Sequence, residues 1–218
     1  MGTFVETATL ATGYYGTSTW GPAPAAYQGA AGTVADATKR ESRVGVIAFP
    51  QAGAALKNTS IKSITLEMVA SAAGYGVDVD KVLTIRESNI QELDKSISST
   101  TYVGDLLGTI TGAFHGNTVM YTLTESSHKE LFSGLRQYFE DGNSCLVLYN
   151  GEYVGGTASF SENYLALSSV TITVEYTDDY VYYNDNGTPV KCAVYYNNRG
   201  SAVRCAVYYN NGGTAVRV

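Results

Sequence analysis

Hydrophobic and polar residues alternate with a period of two along much of the first 179 residues, the pattern of half-buried strands. In "IKSITLEMVAS", Ile64, Leu66 and Met68 fall on one side, Thr65 and Glu67 on the other. In "SSVTITVEY", Val170, Ile172, Val174 and Tyr176 alternate with Thr171, Thr173 and Glu175. "SRVGVIAF", "KVLTIRES", "SCLVLYNG" and "NYLAL" read as further strands, several apolar enough for burial on both faces. Gly and Asn content assigns the intervening "AAGYG", "YNGEYVGG" and "LLGTITGAFHGN" to loops and turns.

One segment departs from this period. Ser127-His128-Lys129-Glu130 has the form of a capping box, in which a Ser hydroxyl and a Glu carboxylate satisfy orphan amides at a helix start. Leu131, Phe132, Leu135, Tyr138 and Phe139 then share one helical face, and Gly142 offers a stop. The pattern predicts a single short helix over about 127–140, plugging the end of a β-sandwich that spans residues 1–179.

Residues 180–218 say nearly the same thing three times. Val181, Val194 and Val207 lie thirteen apart; each opens a "VYYN" and is followed by "NDNG", "NNRG" or "NNGG". Asn and Gly tolerate the positive φ of tight hairpin turns, so the repeats predict a four-strand β-meander module. Val203, Cys205, Val207 and Tyr209 share one face, and Arg204, Ala206 and Tyr208 the other. The preceding strand agrees, with Val190, Cys192, Val194 and Tyr196 against Lys191, Ala193 and Tyr195. The third-repeat position matching Cys192 and Cys205 is Val218, which marks an apolar packing slot rather than a disulfide or metal pair. Cys145, alternating with Val147 and Tyr149, fits the same reading. Isolated hairpins are marginal in water, so the Val/Cys/Tyr face requires cover from the body, another subunit or a partner. Tyr182, Tyr195 and Tyr208 beside Lys191 and Arg204 form either an ordinary solvated face of cross-strand pairs or a repeated aromatic-cationic surface for a sugar polymer or protein.

Charge refines the picture. The chain carries a net −6, of which the repeats hold four basic residues against Asp185 alone, leaving −9 on residues 1–179. An acidic body argues against nucleic-acid binding, which needs clustered Lys and Arg. No apolar run approaches the ~18 residues that span a bilayer, so no membrane association is expected. "MGTFVETATLATGYYG" has neither a basic n-region nor an apolar h-region, and Glu6 stands where myristoylation wants Ser or Thr. Synthesis in a cytoplasm without a signal peptide is expected.

Catalytic signatures are absent: no GxSxG elbow, HExxH, P-loop or GxGxxG occurs, and His115 and His128 are the only histidines. The expectation is a protein without enzymatic activity and without a cofactor. Asp78 and Asp80 in "GVDVDK" suit either a structural Ca²⁺ or solvated loop charges. Trp20, in the proline-stiffened "TSTWGPAPAAYQG" with Tyr27 after it, suits either an exposed sugar-stacking platform or a buried plug at one end of the sandwich.

Several of these segments together resemble a known family. "ESRVGVIAFPQAGAALKNTSIKSITLEMVAS", the helix into "GNSCLVLYN", and "ENYLALSSVTITVEY" resemble DNRLRE-type jelly-roll domains, which are similar to carbohydrate-binding modules. The matching positions are Arg43 to Phe49 (one residue longer than the family spacing), Ile61 or Ile64 to Leu66, and Val174 to Tyr176. The tail resembles short Gly-turn repeats that end tail-associated proteins of phages and prophages in Gram-positive bacteria, and less closely the choline-binding cell-wall repeats, whose Trp it lacks. The resemblance implies a jelly-roll virion component of a phage tail or tail-like particle, homo-oligomeric and contacting other tail proteins, with adhesion to host-surface glycans. The alternative is a free or cell-attached carbohydrate-binding module protein.

Overall fold

The computed structural model describes residues 1–14, 20–21, 25–33, 36–70, 81–112, 114, 118–151, 163–178, 181–185, 188–192, 195–198, 201–204, 208–211 and 214–217. The expected all-β character is present. Among the described residues ten antiparallel strands form the body: β1 (Gly2–Thr7), β2 (Thr9–Tyr14), β3 (Ala26–Thr33), β4 (Asp36–Ala48), β5 (Thr59–Ala70), β6 (Lys81–Ser88), β7 (Val103–Gly112), β8 (Thr118–Leu123), β9 (Cys145–Leu148) and β10 (Asn163–Asp178).

Two long strands make this ladder double back. Along one edge β4 bonds β2; along the other it bonds first β3 and then β9. Likewise β10 bonds β5 on one edge and β3, then β1, on the other. The result is one group, β2-β4-β9-β6-β7, and another, β1-β10-β5-β8, joined through β3. Their apolar rows meet: Leu10, Ile47, Leu83, Ile110 and Leu148 of the first group share a buried cluster with Ile64, Leu66, Leu123, Ile172 and Val174 of the second. Each such side chain removed from water contributes about 1.5–3 kcal/mol. The arrangement is β-sandwich-like, and the alternation in β5 and β10 is as their sequences predict.

Among the described residues two α-helices, not one, accompany the strands: α1 (Ala52–Leu56) and α2 (Lys129–Glu140). The predicted face of α2 is the buried one, with Leu131, Phe132, Leu135, Tyr138 and Phe139 in the core. Its start differs from expectation. His128, in a left-handed conformation at φ 53, is the N-cap, and no side chain caps the helix. The Ser127 hydroxyl donates instead to the Thr122 carbonyl at 2.8 Å, so the capping box does not form. The stop is as predicted: Gly142 at φ 92 lets its own N–H reach the Phe139 carbonyl and the Asn143 N–H reach that of Tyr138.

A second departure is β7, which takes in the first seven residues of "LLGTITGAFHGN", a segment whose Gly and Asn content reads as loop. Its glycines mark close approaches within a strand. A Cβ on Gly108 would lie 2.8 Å from Leu131 Cβ, and one on Gly112 would overlap the Tyr121 hydroxyl. The helix packs where Gly108 makes room.

A smaller cluster covers the outer face of β4 and β9: Val44, Val46, Val147 and Tyr149 pack with Tyr102 under the segment 89–102, with Trp20, Ile90, Leu93 and Ile97 at its margin. The Tyr102 hydroxyl accepts the Asp94 N–H at 2.8 Å and lies 2.9 Å from the Asp94 carbonyl, pinning that segment down.

The body ladder ends at Asp178 and the repeats follow as β11 (Val181–Asp185), β12 (Thr188–Cys192), β13 (Tyr195–Asn198), β14 (Ser201–Arg204), β15 (Tyr208–Asn211) and β16 (Thr214–Arg217). The expected antiparallel neighbours are present, but as three separate two-stranded sheets, β11-β12, β13-β14 and β15-β16; the turn residues between the arms lie outside the described residues. A thirteen-residue period accounts for this. It holds two arms of four or five residues and two residues between the last paired positions, such as Asp185 and Thr188. Of each longer strand that the sequence predicts, the first arm thus pairs in one hairpin and the second in the next. Among the described residues no helix is long and apolar enough to cross a membrane.

Candidate binding surfaces

The core-facing row of β4 runs Ile47, Gly45, Arg43, opposite Leu10, Thr12 and Tyr14 of β2. Arg43 therefore stands where that row passes beyond the apolar core. Its guanidinium carbon lies 5.3 Å from the Tyr14 ring centroid and 4.8 Å from that of Tyr27. These rings come from β2 and β3, the strands on either edge of β4.

Local chemistry builds this cluster. Thr12, buried, donates its hydroxyl to the Ala25 carbonyl at 2.6 Å and accepts the Tyr27 N–H at 3.0 Å, seating the start of β3 over β2 and β4. Gly45 makes the seat: a Cβ there would fall 2.9 Å from Tyr27 N and 2.7 Å from its carbonyl oxygen. Gly29, paired with Arg43 across the ladder, adopts φ 103 and puts no side chain beside the guanidinium. Arg43 is half-buried, and its Nε is enclosed without a hydrogen-bond acceptor among the described residues. The one ion pair among those residues is Arg136 with Glu125.

Trp20 does not join Tyr27 in a platform. It bridges to Gly13, donates its indole N–H to the Ile97 carbonyl at 3.0 Å, and sets its ring edge-on to Tyr102 at 5.6 Å. In this position it lies half-buried at the margin of the outer cluster. A cleft of about 430 Å³ lies nearby, lined by Thr9, Ala48, Pro50, Gln91, Glu92 and Leu93. The Gln91 side chain is occupied there, donating to the Ser88 carbonyl and accepting the Ser144 N–H at 2.7 Å.

In the repeats the backbone register places Tyr182 opposite Lys191, Tyr195 opposite Arg204 and Tyr208 opposite Arg217. The predicted aromatic and basic positions are thus direct cross-strand partners, repeated three times. Arg217, not singled out by sequence, completes the third pair. The signal was available, since a two-residue turn fixes which positions face each other. The sequence likewise does not pair Tyr14 with Arg43, although a charge on an otherwise apolar strand face is a readable sign.

Asp78 and Asp80, the candidate Ca²⁺ ligands, lie outside the described residues, as do Cys205, Val218 and His115. Among the described residues no group of three or more His, Cys, Asp or Glu could hold a metal ion. Cys145 is buried, and burial pushes its thiol up to about 12, leaving negligible thiolate for nucleophilic chemistry at neutral pH. No family model matches the chain, and no curated protein sequence matches it significantly.

Proposed function

We propose that this chain is a non-enzymatic, tail-associated structural protein of a phage or prophage particle from a Gram-positive bacterium, of DNRLRE-like type, which also contributes adhesion to host-surface glycans. In this reading the sandwich follows a jelly-roll path, and the protein is a homo-oligomer that contacts other tail proteins and is carried on the virion. The supporting observation is the threefold Tyr–cation register of the hairpins. Three units of the same register on one short segment suit attachment to a repetitive surface, since linked weak contacts bind with an avidity that none has alone. Hairpins that pair only with themselves also require cover, which subunits or tail partners would supply.

The Tyr14–Arg43–Tyr27 cluster favours a second reading, a free or cell-attached carbohydrate-binding module, in which the body rather than the tail holds the sugar. Light scattering under reducing conditions, on the full chain and on a chain ending at residue 179, separates the two. An oligomeric full chain and a monomeric truncation support the virion reading. Monomers in both cases, with polysaccharide binding retained by the truncation, support the module. Monomers that bind no polysaccharide on a panel of bacterial cell-wall glycans overturn both.

A further inference from the structure

We propose that Arg43, held between Tyr14 and Tyr27, is a subsite for an oxyanion carried on a saccharide, a carboxylate or a phosphate ester. The proposal rests on the glycan-adhesion reading and names the chemical class the body would select.

The first argument is the state of the guanidinium. Arginine presents five N–H donors and cannot shed its charge. Arg43 is half-buried, its Nε is enclosed, and among the described residues no carboxylate or carbonyl accepts from it. Its described partners are the two tyrosine rings alone. Ring faces attract a cation, but they accept none of its in-plane hydrogen bonds. A partly desolvated charge whose enclosed Nε–H is unmet is an unfavourable arrangement unless something supplies an acceptor.

The second argument is preorganisation. Gly45 admits the start of β3, the Thr12 hydroxyl fixes Tyr27, and Gly29 leaves the adjacent ladder position without a side chain. Rings flanking from both neighbouring strands limit how the planar fork can turn, which lowers the ordering needed when a ligand arrives. A planar fork matches two oxygens of a carboxylate or phosphate, and the tyrosines offer apolar surface to the C–H groups of a sugar ring.

The third argument is contrast. Residues 1–179 carry −9, so long-range attraction does not draw anions to this body. Selection would come from the fork itself, at short range.

The test titrates the full chain, by calorimetry, with methyl β-D-glucuronide, methyl β-D-glucoside and glucose 6-phosphate. The charged probes are expected to bind at least about tenfold more tightly than the glucoside, the scale of one charge-assisted bidentate contact. Which charged probe leads identifies carboxylate or phosphate as the source. Arg43→Lys, which keeps the charge and loses the fork, should bring the charged probes close to the neutral one. If the glucoside binds as well as the charged probes, the oxyanion subsite is overturned while glycan adhesion stands. If no probe binds but a cell-wall polysaccharide does, and Arg43→Lys leaves that binding unchanged, the subsite is likewise overturned. If neither probes nor polysaccharides bind, the glycan reading itself fails. Because the probe comparison is made on the unaltered chain, a variant that does not fold leaves the proposal testable.

Discussion

Gly134, inside α2, sets two ordinary rules against each other. Helix propensity alone says that Gly134→Ala should stabilise the protein by about 0.8–1 kcal/mol. Packing says otherwise. A Cβ at that position would lie 2.8 Å from the Leu107 carbonyl oxygen and 3.4 Å from both its carbonyl carbon and Cα, all backbone atoms of β7. To reach an ordinary contact of 3.4 Å the helix must retreat by about 0.6 Å, and a gap of that size forfeits roughly a quarter to a half of each dispersion contact along the face. That face carries Leu131, Phe132 and Leu135, all buried. Overpacking of this kind costs about 1–3 kcal/mol, so the packing term wins and the variant should be about 1 kcal/mol less stable. Urea unfolding, followed by fluorescence of the single tryptophan, measures it. Ser133→Ala is the control: Ser133 is exposed on the same helix, and the substitution should raise stability by a few tenths of a kcal/mol. A Gly134→Ala protein as stable as its parent, with the same denaturant slope, would show that α2 does not press on β7 as described.

Tyr138→Phe should destabilise by about 2–4 kcal/mol, because its hydroxyl accepts the Ser88 N–H at 3.0 Å and sits 2.5 Å from the Cys145 carbonyl, and both would lose a partner in the interior. A loss under about 0.5 kcal/mol by the same urea assay would contradict that network. Alkali should weaken the fold through Cys145, whose thiol is raised by burial from 9.0 to about 12. The folded protein keeps this proton while the unfolded chain releases it. Its contribution is therefore complete below pH 9, declines by about 1.4 kcal/mol per pH unit above that, and levels off near 12. Cys145→Val should flatten the urea midpoint between pH 8 and 10; a decline as steep as the parent's would remove the thiol from the account. Tyr102 and Tyr138, whose hydroxyls burial also raises, should leave a residual loss above pH 10 in both proteins.

Much of the fold is legible because it is local. Alternation in β5 and β10 and the buried face of α2 follow from residues two to eight apart, and the structure keeps them. The errors arise where a distant partner decides. Gly108 and Gly112 read as a loop until Leu131 and Tyr121 are brought against them. Ser127 is a different case: a local competitor, the Thr122 carbonyl five residues back, draws its hydroxyl away from the cap. The Tyr14–Arg43–Tyr27 cluster is the extreme case, since the three meet only once β2 and β3 have bonded opposite edges of β4. Nothing within a window around Arg43 reports that both neighbours will be tyrosines.

The hairpins reverse that situation, because their register follows from the repeat and the turn. Their three pairs are not chemically identical: the first sets Lys191 opposite Tyr182, the others set Arg204 and Arg217 opposite tyrosines. Lysine is a compact point charge, whereas arginine offers a planar fork. If adhesion used charge alone, the three hairpins would contribute alike to binding an anionic polymer. If it used the fork that Arg43 presents in the body, the second and third would dominate, and the first would serve chiefly to join them to the sandwich.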